Sequence, residues 1–335
     1  MSVENKVEDF STPIGVHVRN LSVVYETNQG QIPAVNHVDL DIAAGEITGI
    51  IGESGSGKST LAMALMNSVS KPGRITNGSV IVDGIGDMLK ISNERQRRVR
   101  GKQIGFVFQA AQNSLNPLSR IGHQVLDLGR SHQVGDLRSL LRHARDLLIR
   151  LGMDADRVLM SYQHELSGGM RQRVGIMFAL VLDARVVILD ESTTALDMLS
   201  QASVLEIVRE LHQERGLTLV LITHDMGVVA DLADRIVVMY GGELAEEGPT
   251  EDLLRQPQHP YTRGLIRAIP RISGNPDEAI ALNGSPPDLQ TFAQSGCLFY
   301  DRCPDRIAEC QAGRPIYKEI SDGKKVACHK VNRHD

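Results

Sequence analysis

Gly52-Glu-Ser-Gly-Ser-Gly-Lys-Ser-Thr60 lies between two runs of different character. Ile47-Thr-Gly-Ile-Ile51 precedes it, short and mostly β-branched, and reads as a buried strand. Leu61-Ala-Met-Ala-Leu-Met66 follows it and is built of good helix formers. Strand, glycine loop, helix is the setting of a phosphate-binding P-loop. Glycines let the backbone curl so that successive N–H groups from Ser54, Gly55, Ser56, Gly57, Lys58, Ser59 and Thr60 point at phosphate oxygens. The helix start adds partial positive charge. Lys58 is placed to reach β- and γ-phosphates, and the Ser59 hydroxyl to ligate Mg²⁺. Alone, this stretch implies nucleoside triphosphate binding and nothing finer.

Working outward, 335 residues hold one large domain, or one with an appendage. Apolar residues make up 41%, but aromatics only 4% with no Trp, so aliphatic side chains must fill the core. A net charge of -5 gives no electrostatic case for a nucleic-acid partner. No apolar run approaches the ~20 residues needed to cross a bilayer. The polar N-terminus does not read as a signal peptide. The expectation is a cytosolic chain whose membrane spans, if it serves transport, belong to other subunits.

Residues 16–25 and 38–42 read as strands of a small sheet. Tyr25 ends the first, an aromatic placed either to stack on a purine base or to sit half-buried in its strand. Arg95 to Lys102 carries five basic residues without interleaved aromatics, which reads as a solvated helix face. Ile104 to Phe108 reads as a strand leading to Gln109. Leu140, Leu141, Ala144, Leu147, Leu148 and Leu151 recur at helical spacing with Gly152 as a stop, marking a helical insert at about 112–175. Further strands are expected at 186–190 and 218–223, with helices at 170–182 and 203–215. The alternation implies an α/β fold with a mainly parallel sheet covered on both faces. Residues 235–248 read as a hairpin turning at Gly241-Gly242. Beyond about 251 a helix near 250–268, a linker and a small terminal module are expected.

Asp190 and Glu191 follow four apolar residues at a strand's end, which places two carboxylates at the carboxyl edge of a parallel sheet. Asp190 suits Mg²⁺, and Glu191 suits a general base for water attacking a γ-phosphate. Gln109 also follows a strand and is placed to touch Mg²⁺ or the water. His224 follows another, able to hold the γ-phosphate and the water. Leu166-Ser-Gly-Gly-Met170 opens a helix with Ser167 as N-cap, a second glycine-led anion site in the same chain. Two such cradles make sense if one serves the ATP of another subunit.

Together, LSGGM, GESGSGKST, VVILDE, TALD and the histidine of ITHD resemble the ATP-binding cassette (ABC) ATPases across residues 14–250. The resemblance implies a P-loop NTPase fold with a small antiparallel subdomain. It implies that Tyr25 stacks on adenine and that Gln109 is the Q-loop glutamine. It makes Ser167, Gly168 and Gly169 the signature loop, Asp197 the D-loop aspartate and His224 the switch histidine. Two cassettes of that family close head to tail on two ATP molecules. His259-Pro-Tyr-Thr262, Ala268-Ile-Pro270, Gly284-Ser-Pro-Pro287, Cys297 and Arg302-Cys-Pro304 are similar to ATPase subunits of bacterial oligopeptide and dipeptide importers, a group that also includes nickel and glycan transporters. The implied partners are a second, paralogous ATPase, two permeases and an extracytoplasmic binding protein. The implied location is the cytoplasmic face of the inner membrane.

All four cysteines, Cys297, Cys303, Cys310 and Cys328, fall in the terminal module at 251–335. A cytosolic chain argues against disulfides. Four clustered thiolates suit a [4Fe–4S] cluster, with zinc or unligated thiols as alternatives. The importer resemblance points to the cluster, which is the expectation carried forward. The sequence departs from the family pattern at Ser192, where proline is usual, and at AAQNSLNP after Gln109. Met170 replaces the commoner Gln of the signature loop, as fits the peptide-importer group.

Other classes fit less well. Lys58 and Ser167 are only 109 residues apart, too close for the long coiled coil of a chromosome or repair ATPase. A translation-type double cassette needs two P-loops. A P-loop kinase or GTPase has no use for LSGGM. An exporter ATPase would not need the importer-like tail.

Overall fold

In the computed structural model, the described residues are 12–28, 30–109, 114–191, 198–268, 282–287 and 296–332. The chain begins with β1 (Val16–Thr27), β2 (Gly30–Ile42), β3 (Ile47–Ile51), α1 (Lys58–Leu65), β4 (Gly73–Val82) and β5 (Gly86–Asp87). Next come α2 (Asn93–Lys102), β6 (Ile104–Val107), α3 (Ile121–Ser131), α4 (Leu137–Arg150), α5 (Ala155–Met160) and α6 (Gly168–Leu180). After β7 (Val186–Asp190), α7 (Met198–Arg215), β8 (Thr218–Ile222) and α8 (Met226–Leu232), β9 (Arg235–Tyr240) and β10 (Glu243–Pro249) form a hairpin. The rest is α9 (Thr250–Arg255), α10 (Pro260–Arg267), α11 (Glu309–Ala312), β11 (Lys318–Ser321) and β12 (Lys324–Val326). Two compact units share these elements. One holds the chain up to Gly15, Ala43–Gly45 and Ser92–Leu219; the other holds Val16–Ile42, Glu46–Ile91 and Val220 onward.

In the second unit, β2, β1, β4 and β5 form an antiparallel sheet in that order. Alternate residues Val16, Val18, Leu21 and Val23 of β1 are buried. The alternation slips at Asn20, a residue of positive φ, where the register with β2 also shifts. One extra residue at a bulge restores the inward face beyond it. A further sheet order of β11, β12, β10, β9, β3 carries the P-loop strand. β3 and β9 are parallel, and all five residues of β3 are buried. Such a strand reads as a continuous apolar run because both its faces are covered. Through β12 on β10, the C-terminal module extends the same sheet.

In the first unit, β6 and β7 pair in parallel, and all of Val186-Val-Ile-Leu-Asp190 is buried. Between β6 and β7 the chain forms helices α3 to α6. Asp136 caps α4 by accepting from the Arg138 and Ser139 N–H groups, and Leu140, Ala144, Leu147 and Leu148 are its buried stripe. Each fully buried leucine contributes roughly 1.5–3 kcal/mol relative to exposure. Gly152, at φ 70, ends the helix as expected.

Three elements differ from expectation. β2 starts at Gly30 rather than near Val38, because pairing with β1 carries polar residues into the strand. The basic helix α2 kinks at Arg100 and Gly101. The helix expected near 250–268 is two helices: α9 stops at Arg255, where Gln256 leaves the helical region, and Pro260 suits the first turn of α10, capped by His259. Among the described residues no helix is long and apolar enough to cross a membrane.

Candidate functional site

The P-loop takes the strand–loop–helix form read from its sequence. Gly57 has φ 99, and a Cβ there would meet Ala34 O at 2.1 Å. Gly52 is as tightly placed, with Met239 O 2.3 Å from a Cβ. Both glycines therefore permit close backbone approach as well as the turn. Lys58 is only 5% exposed. Its Nζ donates to Gly52 O at 2.7 Å, to Glu53 O at 2.9 Å and to Ser56 Oγ at 3.4 Å. The loop is thus wrapped around its own cation. Ser54 and Gly55 form the exposed crest, with Ser59 and Thr60 half-buried at the helix start.

Tyr25 is half-buried on β1, its hydroxyl 3.5 Å from Thr60 Oγ1, so the structure brings this aromatic beside the P-loop helix. His224 is exposed just beyond β8 and lines a cavity of about 260 Å³ with Gly52 and Glu53. Asp225 caps α8 by accepting from the Gly227 and Val228 N–H groups, which fixes the turn that presents His224.

In the first unit, Asp190 ends β7 and is 5% exposed. Glu191 follows at φ 44, a left-handed backbone rare for a side chain of this kind. Gln109, two residues beyond β6, donates from Nε2 to Glu191 Oε2 at 2.5 Å. These two strand-end residues are therefore brought together. Ser167 caps α6 by accepting from the Met170 N–H at 3.3 Å; it is exposed, and Leu166 beside it is buried. A Cβ on Gly168 would meet nothing within 4 Å. Asp197, Ser192 and residues 110–113 lie outside the described residues.

The sequence reading missed a brace on the P-loop. The Glu53 N–H donates to Tyr261 Oη at 2.8 Å. Its carboxylate accepts from Arg302 at 2.6 and 2.9 Å, a two-pronged ion pair. The Arg302 side chain is 6% exposed. It also donates to Asn283 O at 2.8 Å and to Tyr240 Oη at 3.2 Å. Under it, the Tyr240, Tyr261 and Phe299 rings pack with centroids 4.5 to 5.4 Å apart. The Glu53 and Tyr240 partners hold the Arg302 guanidinium charged, raising its pKa; burial raises that of Tyr261. The only sequence signal was the carboxylate inside the loop; nothing local singled out Arg302 as its partner.

The iron–sulfur expectation is corrected. All four cysteines are free thiols, and among the described residues no three Cys, His, Asp or Glu side chains form a group able to hold a metal ion. Burial, the largest cause, pushes the Cys297 thiol up to about 12 and raises that of Cys303. The module is held instead by packing and hydrogen bonds. Cys297 N–H donates to Cys310 O at 2.7 Å, and a ring nitrogen of His329 lies 2.9 Å from Gly313 O.

A P-loop, a buried carboxylate at the end of a parallel strand and a second glycine-led helix start define a cassette-type nucleotide-binding fold. Solved structures agree. The dimeric structure of a post-hydrolysis state of the ATP-binding cassette MJ0796 bound to ADP and Pi has a TM-score of 0.63 and 29% identity. It covers 70% of this chain and 98% of that one. The family model "ABC transporter" matches residues 35–194, and "Oligopeptide/dipeptide transporter, C-terminal region" matches 245–310. The dipeptide transport ATP-binding protein DppD of Caldanaerobacter subterraneus is 39% identical, covering 94% of this chain and 96% of that one. The oligopeptide transport ATP-binding protein AppD of Bacillus subtilis is 38% identical, over 93% and 95%. DppD of Escherichia coli is 36% identical, over 94% and 96%. These relatives are named as ATP-binding proteins, with no iron–sulfur description. The chain belongs to the ABC transporter family, in the branch that carries the oligopeptide/dipeptide C-terminal region.

Proposed function

We propose that this chain is the ATP-hydrolysing subunit of a bacterial importer for peptides, a cassette at 14–250 with an importer-type extension at 251–335. Supporting this reading most directly is one chain holding both a Lys58-centred phosphate loop and a separate, exposed, serine-capped helix start. The named relatives supply the substrate class. The partners under this reading are a paralogous ATPase, two permeases and an extracytoplasmic binding protein. The chain then works at the cytoplasmic face of the inner membrane, held there by the permeases.

The roles follow from the chemistry. Lys58 and the loop N–H groups receive the β- and γ-phosphates, and Tyr25 receives the adenine. Ser59, Asp190 and Gln109 offer hard oxygen donors suited to Mg²⁺, which neutralises phosphate charge when bound. Glu191 accepts the proton of the attacking water, and Gln109 holds its carboxylate in place. His224 orients the γ-phosphate and the water. Ser167, Gly168 and Gly169 act on the nucleotide of the partner cassette, and Asp197 serves the same shared site. ATP binding closes the pair, hydrolysis reopens it, and the permeases convert that cycle into alternating access.

The test is genetic and direct. Cells lacking the chain are expected to lose import of a labelled di- or tripeptide. The native chain restores it and the Glu191→Gln chain does not. Restoration of uptake by Glu191→Gln, or peptide uptake unaffected by loss of the chain, contradicts the proposal.

A further inference from the structure

We propose that Arg302 and Tyr261, both in the C-terminal extension, are positioning residues for nucleotide binding, holding Glu53 so that the P-loop accepts polyphosphate. The inference rests on the reading that this loop binds MgATP.

Glu53 is the one acidic residue inside the glycine loop. Left uncompensated, a carboxylate in this loop adds negative charge close to where phosphates would bind and disfavours them. Arg302 takes both carboxylate oxygens, a planar pairing that fixes direction as well as charge. Tyr261, fully buried, takes the Glu53 N–H. Lys58 and the Ser56 N–H take its carbonyl. The backbone and side chain of Glu53 are thus tied on every polar edge, two of them by the extension. The aromatic packing under Arg302 stiffens that grip. Arg302 also lies between Cys297 and Cys303, which places the anchor inside the cysteine module itself.

A purely structural reading has the loop serving as a peg for the extension. Charge separates the two. If Arg302 acts by neutralising and aiming Glu53, removing the carboxylate relieves the loss of the arginine. If it acts only as an anchor, removing the carboxylate does nothing.

The experiment measures MgATP, MgADP and adenosine affinity by calorimetry on the full chain. Arg302→Ala is expected to weaken MgATP binding by about tenfold or more, MgADP less, and adenosine least. Arg302→Lys keeps the stem and one charge but loses the two-pronged contact, and is expected to fall between. Tyr261→Phe weakens binding more mildly. Glu53→Gln added to either Arg302 variant is expected to return MgATP affinity to within about threefold of the native chain. Should Arg302→Ala not fold, the Arg302→Lys pair carries the same comparison. Native-like affinity in the Arg302 variants, or no recovery on adding Glu53→Gln, overturns the inference. A native chain that binds no MgATP at all overturns the reading of the loop instead.

Discussion

The P-loop and the Ser167 turn are both glycine-led helix starts, yet they are finished differently. The P-loop is closed by its own unit. Lys58 is buried in it, Ala34 and Met239 carbonyls press on it, and Tyr261 and Arg302 brace it. The serine turn is exposed, holds one capping bond to its own helix, and has open space over Gly168. A site that must grip phosphate before anything else arrives is pre-organised from within. Under the proposed function, the open turn meets its phosphate only when another cassette docks. The contrast is what such a paired motor requires.

The strongest way to break the contrast is at Lys58. Lys58→Ala removes charge-assisted bonds worth about 1.5–3 kcal/mol each. MgATP affinity of the single chain is expected to fall by about a hundredfold or more, read by nucleotide titration. Unchanged affinity would equate the two cradles. Next, Ser167→Phe fills the open turn. Hydrolysis by the assembled transporter is expected to drop by about a hundredfold or more, with single-chain MgATP affinity unchanged. Loss of single-chain binding would mean that the turn serves its own nucleotide.

The smallest effect concerns the brace. Burial lowers the His259 pKa to about 4, and its Nδ1 accepts the Tyr261 N–H. The unfolded chain therefore binds this proton first as pH falls below about 6.5. Stability is complete above that value and declines between pH 6.5 and about 4, by up to about 3 kcal/mol. Glu246, which accepts the His259 N–H and is raised by burial, opposes the trend, and Arg263 adds to it. Comparing native with His259→Asn isolates the histidine. The melting temperature of the variant is expected to fall less between pH 7 and 5, and an equal fall would contradict the assignment.

Much of this was legible in the sequence because local chemistry decides it. The glycine loop, the serine cap, the leucine stripe of α4 and the all-apolar strands each carry their own short-range signal. Local reading failed where partners are distant in the chain. Glu53 meets Arg302 across 249 residues, and no periodicity points from one to the other. It failed also at the cysteines, where shared location in the sequence was read as shared ligation. Among the described residues they form no group able to hold a metal ion. The start of β2 escaped notice because pairing with β1, not propensity, sets it.

The most direct measurement is a structure of the assembled transporter carrying Glu191→Gln, with MgATP bound. Ser167 Oγ is expected within hydrogen-bond reach, about 3.2 Å or less, of a γ-phosphate whose other oxygens are held by the partner's P-loop. A nucleotide-loaded transporter in which Ser167 faces solvent, away from every γ-phosphate, would contradict it.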